Sequence, residues 1–168
     1  MVERYPQYDY IIVNDGSTDH TSEICHKSGY EIIDLPINLG LAGAFQTGLK
    51  YAYLKNYDYA MQMDADGQHL PEYIEALIKK INEGYDIVIG SRFVTEKKPK
   101  SMRMLGSNMI SWAIHMTTGV RVMDPTSGMR IFNRNMIKEF ASNINYGPEP
   151  DTISFLLKQG DKVLGEVQ

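Results

Sequence analysis

The 168 residues carry 17 Lys and Arg against 21 Asp and Glu, a net charge of −4, with 43% hydrophobic and 23% charged residues. This length favours one domain with a sizeable core, and the ordinary composition argues against disorder. The negative balance excludes a general nucleic-acid binder, the lone Cys25 excludes an internal disulfide, and no apolar run approaches the roughly 18 residues that span a bilayer.

"YDYIIVND" (8–15) reads as a buried strand that stops at Asp15-Gly16. "STDHTSEICHKSG" (17–29) has the Ser and Thr start signals and apolar spacing of a helix closed by Gly29, with Asp19 as its cap and Cys25 as a small buried hydrophobe. "YEIIDLP" (30–36) is a second strand, broken by Pro36. "LAGAFQTGLKYAYLKN" (41–56) is helical, and "YDYAMQMDAD" (57–66) is a third strand. "LPEYIEALIKKINEG" (70–84) is a helix with Pro71 near its first turn and Gly84 past its end, and "DIVIGSR" (86–92) is a fourth strand. Alternation of this length predicts a mainly parallel sheet with helices on both faces.

After the lysine-bearing "TEKKPKS" (95–101), a solvated loop, the pattern changes. A helix covers 103–119, where Met104, Met109, Ile110, Trp112 and Met116 form an apolar stripe that reads first as core and secondly as lipid contact. "DPTSGMRIFNR" (124–134) is a loop entering a short strand, 151–160 is another helix, and 161–168 begins a strand.

Ligands of open parallel sheets bind outside the carboxyl ends of the strands. Three polar groups fall on that edge: Asn14-Asp15-Gly16-Ser17, Asp64-Ala65-Asp66 and Ser91-Arg92. Asp64 and Asp66, two apart, face one side of an extended chain and supply the hard oxygens that suit Mg²⁺ or Mn²⁺. Gln68 adds a neutral oxygen, whereas His69 lacks the companion ligands of a softer metal site. Asp15 at a tight turn can accept N–H bonds from a base or O–H bonds from a ribose, and Gly16 lets the backbone come close. The alternative for Asp15 is an Asx turn that caps the following helix. Neither a G-x-G-x-x-G fingerprint nor a phosphate-binding G-x-x-x-x-G-K-[ST] loop is present.

"IIVNDGSTDHT", "MDADGQHLPE", "VIGSRFV" and "DPTSGMRIFNR", in this order and spacing, resemble the family 2 inverting glycosyltransferases of the GT-A fold. Within it the chain is most similar to the branch of dolichyl- and polyprenyl-phosphate sugar synthases. The resemblance implies a single GT-A domain over 1–168 that binds a UDP- or GDP-sugar. Asp15, with Gly16 and Ser17, would contact the nucleotide, and Asp64, Asp66 and Gln68 would hold the metal and diphosphate. Arg92, Arg103 and Ser107 would bind an acceptor phosphate; Arg103 and Ser107 stand one helical turn apart, and Arg with a hydroxyl makes a sensible phosphate clamp. Asp124 would serve as base or acceptor-orienting residue, against the alternative of a turn residue before Pro125. Glu149 in "GPEPD" is the second candidate base, needed only for a hydroxyl acceptor.

Three departures stand out. Asn14 takes the place of a frequent aspartate, the family's opening "P-x-x-N-E" strand is not found, and neither is its "R-x-x-G-x-S" segment. The expectation is therefore a core of the family's domain, truncated at both ends. Its setting would be cytoplasmic, at the inner face of the membrane, as a peripheral protein. Three alternatives stand beside a lipid-phosphate acceptor. The protein could act on a growing polysaccharide or envelope glycan, be a nucleotidyltransferase, or be a non-catalytic nucleotide-sugar-binding module.

Overall fold

The computed structural model describes residues 5–64, 71–91, 102–143, 147–158 and 162–167, with side chains left out at 102–105 and 107. In chain order the elements are β1 (Ile12–Asn14), α1 (Thr21–Lys27), β2 (Ile32–Asp34), α2 (Gly40–Leu54), β3 (Tyr59–Gln62), α3 (Ile74–Ile81), β4 (Ile87–Gly90), α4 (Met102–Thr118), β5 (Arg130–Asn133), α5 (Arg134–Ser142), α6 (Pro150–Lys158) and β6 (Leu164–Val167). A 3₁₀ turn over Pro71–Tyr73 leads into α3, as a proline that cannot donate an N–H favours at a helix start.

Strands β1 and β2 pair in parallel, with Asn14 opposite Asp34. The other four form a sheet in the order β3-β5-β4-β6. Strands β3, β4 and β6 share one direction, and β5 lies between β3 and β4 antiparallel to both. The sheet is thus mixed where alternation alone predicts parallel neighbours. Strand β5 follows the long excursion through α4, and an apolar run specifies burial without specifying direction.

The side chains of Ile87, Val88 and Ile89 are buried on both faces of the sheet, which explains why β4 reads as continuous apolar sequence. On one face Ile87, Ile89 and Phe132 pack with Phe45 and Leu49 of α2, Phe140 of α5 and Ile153 of α6. On the other, Val88, Met129 and Ile131 pack with Ile74, Leu77 and Ile81 of α3. By contrast β1 is short and only half-buried before Asn14, not the buried strand that 8–15 suggests.

Two further differences concern helices. The sequence pattern predicts no element over 134–142, where α5 stands. The signal there is Asn133, whose side chain accepts the Met136 N–H at 3.0 Å, followed by buried Met136, Ile137 and Phe140. In α4 the described part of the stripe divides: Ile110 is half-buried against the core beside the buried Ile114, but Met109, Trp112 and Met116 are each 66% exposed. Cys25 is buried, as expected.

Candidate active site at the carboxyl edge of the sheet

The turn after β1 is built by side chains that satisfy backbone. Asn14 is buried, accepts the Ser17 N–H at 3.2 Å and donates to Asp34 Oδ1 at 2.7 Å. Ser22 Oγ donates to Asp34 Oδ2 at 2.9 Å, and His26 Nε2 lies 2.8 Å from the same oxygen. The Asn14 amide, then the His26 ring, hold the Asp34 carboxyl below the ordinary carboxylate range. An aspartate at position 14 would set two carboxylates against each other, which gives the asparagine there a physical reason.

Asp15 does not cap α1. Its Oδ1 accepts the Leu39 N–H at 2.7 Å, just ahead of α2, while Asp19 takes the Thr21 N–H at 3.0 Å. Gly16 has φ +65°, and a Cβ on it would lie 2.6 Å from the Asn38 nitrogen. This turn therefore needs glycine both for its left-handed backbone and for contact with the 37–38 segment. The same first turn of α2 meets a second loop, because a Cβ on Gly147 would lie 2.9 Å from Ala42 Cβ. The Glu149 carboxylate folds back over Gly147. Thus α2 links the Asp15 turn to the Glu149 loop.

Arg130 is the residue that sequence reasoning missed. It opens β5, and because β5 runs against its neighbours, its start lies at the carboxyl ends of β3 and β4. Its register partners are Gln62 on β3 and Ile89 on β4, and Ile89 in turn pairs with Glu166 on β6. One row across the sheet therefore carries Gln62, Arg130, Ile89 and Glu166. Arg130 is only 3% exposed. Its Nε donates to Ser127 O and its Nη2 to Pro125 O, both at 2.8 Å, and its Nη1 to Pro148 O. Burial pulls the guanidinium down to about 10, opposed by the charges of Asp124, Glu149 and Asp64. The three predicted carboxylates thus each act electrostatically on this buried cation. A charged residue inside the apolar run "MRIF" was the available signal.

The two candidate acids differ in access. Asp124 is 0% exposed and accepts the Thr126 hydroxyl at 3.2 Å. Its carbonyl takes the Ser127 N–H, so it is also a turn residue. Glu166, also unforeseen, accepts the N–H groups of Met123 at 2.7 Å and Asp124 at 2.9 Å. Glu149 and Asp64 are exposed. Gln62 Oε1 is buried with no hydrogen-bond partner among the described residues, an arrangement that costs stability unless water or a ligand donates to it. Ser91 is buried at the end of β4 and donates its N–H to Val167 O.

Asp66, Gln68 and Arg92 lie outside the described residues. Helix α4 includes positions 103 and 107, but the side chains of Arg103 and Ser107 are not described. Among the described residues no three His, Cys, Asp or Glu side chains converge as a metal site, so Asp64 is the described member of the predicted set.

An edge-built polar site on a mixed α/β sheet is the architecture of the GT-A glycosyltransferases, and comparison agrees. Residues 2–141 match glycosyl transferase family 2, and the chain belongs to that family. An uncharacterized protein of Methanocaldococcus jannaschii is 36% identical over 138 residues, covering 80% of this chain and 57% of its own. The UDP-N-acetylglucosamine–dolichyl-phosphate N-acetylglucosaminyltransferase of Methanococcus voltae is 33% identical over 155 residues, with 80% and 62% covered. The chain therefore spans less than two thirds of the length of these relatives. Glucosyl-3-phosphoglycerate synthase of Mycobacterium tuberculosis, solved with phosphoglyceric acid, shares the fold with a TM-score of 0.62 at 18% identity, covering 94% of this chain and 57% of that one. The same enzyme is solved with Mn²⁺, UDP-glucose and phosphoglyceric acid, at a TM-score of 0.57. Among the described residues no helix is long and apolar enough to cross a membrane.

Proposed function

We propose that the chain is one catalytic domain that transfers a sugar from a UDP- or GDP-sugar to a polyprenyl phosphate at the inner face of the membrane, with inversion. The observation that carries this reading is the meeting of the Asp124 and Glu149 loops on the buried Arg130, at the carboxyl ends of β3 and β4, an edge that α2 ties to the Asp15 turn. The Methanococcus voltae relative supports it, since its name states a UDP-sugar donor and a dolichyl-phosphate acceptor.

In this reading the Asp15-Gly16-Ser17 turn receives the base and ribose. The Leu39 N–H holds Asp15 in place before the nucleotide arrives. Asp64, with Asp66 and Gln68, holds Mg²⁺ or Mn²⁺ beside the diphosphate. The donor chemistry fits, because Asp64 is an exposed hard-oxygen ligand at a strand end, and a protein of the same fold is solved with Mn²⁺ and UDP-glucose. A divalent ion there supplies positive charge against the departing nucleoside diphosphate. Arg92, Arg103 and Ser107 bind the acceptor phosphate, which is already ionised and needs little general base. For a hydroxyl acceptor the exposed Glu149 is the carboxylate able to take the proton, while the buried Asp124 orients the loop beside it. The exposed Met109, Trp112 and Met116 stand on the helix that bears Arg103 and Ser107. An apolar face beside a phosphate site suits the bilayer surface in which a lipid phosphate is dissolved.

The test uses the full-length gene product with UDP- and GDP-sugars and undecaprenyl phosphate in anionic vesicles. The expected result is a lipid-linked sugar phosphate of inverted anomeric configuration. Arg103→Ala raises KM for the lipid phosphate and leaves nucleotide-sugar affinity unchanged. Transfer to soluble saccharides alone would replace this reading with the polysaccharide-acceptor one. Nucleotide affinity that is equal with and without EDTA would remove the metal.

A further inference from the structure

We propose that Arg130 is a positioning residue that fastens the Asp124 loop and the Glu149 loop to one point of the sheet, so that the two acids are set as a unit. The part these acids play in transfer rests on the function proposed above; the fastening does not.

The guanidinium donates to carbonyls from both loops: Pro125 and Ser127 on one, Pro148 on the other. Each proline is the immediate chain neighbour of an acid, Pro125 after Asp124 and Pro148 before Glu149. The fixed φ of Pro125 removes one rotation between Asp124 and the held Pro125 carbonyl, and the planar peptide bond joins the held Pro148 carbonyl directly to Glu149. Glu166, in the same cross-strand row, also holds the Asp124 loop by accepting the Met123 and Asp124 N–H groups. Those two bonds reach the Asp124 loop alone, whereas the bonds of Arg130 reach both loops. A planar fork with donors on three nitrogens can span these carbonyls, and a lysine ammonium, as a compact point charge, cannot.

Arg130→Lys keeps the charge and loses the fork. In the full-length gene product, amide exchange at 126–128 and at 147 and 149 is expected to rise together, with the β1–β2 pair unchanged. With a hydroxyl acceptor, for which Glu149 takes the proton, turnover should fall on the order of a hundredfold, while nucleotide-sugar Kd holds. A rise confined to one loop, or in neither, overturns the fastening, and wild-type kcat overturns the part given to the two acids. Glu166→Gln serves as the second variant, and decides if Arg130→Lys does not fold: exchange should rise at 123–124 and stay unchanged at 147 and 149. If Glu166→Gln loosens both loops, the coupling does not run through Arg130. If the wild-type protein transfers no sugar, the proposed function fails and the exchange experiment still decides the fastening.

Discussion

Asp34 accepts from the Asn14 amide and the Ser22 hydroxyl and lies against the His26 ring. One carboxylate thereby joins the ends of β1 and β2 to α1. Its folded pKa is depressed, so its contribution is fully present above the unfolded value, about 3.9, and is lost as pH falls through the folded value. Asp34→Asn should lower the melting temperature at pH 7, and the gap from wild type should narrow toward pH 3. Thermal scans at both values check this, and a gap that widens in acid would contradict it. At the same scale, the strand-end positions of Asp15 and Asp64 were legible because they follow directly from chain order. Arg130 was not, because a strand arginine displays its partners only after two loops have closed on it.

Among the elements, α5 and α4 show where pattern reading stops. The cap of α5 is also a cross-link. Asn133 accepts the Met136 N–H and donates to Asp86 Oδ1 at 2.7 Å, while Asp86 Oδ2 takes the Val163 N–H. Asn133→Ala should therefore cost at least the roughly 1 kcal/mol of an N-cap, measured by urea unfolding; a loss near zero would show that the cap is replaced. For α4, periodicity identified the helix but not what its apolar stripe faces, since a stripe is equally regular against core or lipid. Serine at both 112 and 116 should change stability by no more than about 0.5 kcal/mol, as for ordinary surface positions. The same double variant should reduce co-sedimentation with anionic vesicles. A large loss of stability would mean that these side chains are covered in the whole protein.

For the molecule as a whole, Phe45, Phe132 and Phe140 tie α2, β5 and α5 together, with ring centroids 5.1–5.5 Å apart and edge-to-face. All three are buried in the cluster on the sheet face that carries Arg130. Phe132→Ala should cost about 3–5 kcal/mol, read from denaturant midpoints at unchanged m-value. Because Phe132 stands two residues from Arg130 on the same strand face, the variant should also loosen the site. Turnover that is unchanged in the folded fraction would separate the core from the site.

Sequence by itself determined the alternation of strands and helices, the family, and which polar residues stand at strand ends, because each of these is written in local order. It also placed Arg103 and Ser107 one turn apart on a helix. Only the tertiary structure decided that β5 enters the sheet backwards, which brings Arg130 to the loops that carry Asp124 and Glu149. The same holds for the complete burial of Asp124 and the outward face of α4. Periodicity encodes which residues share a face, whereas strand direction, pairing partner and solvent access depend on what the rest of the chain brings to that face.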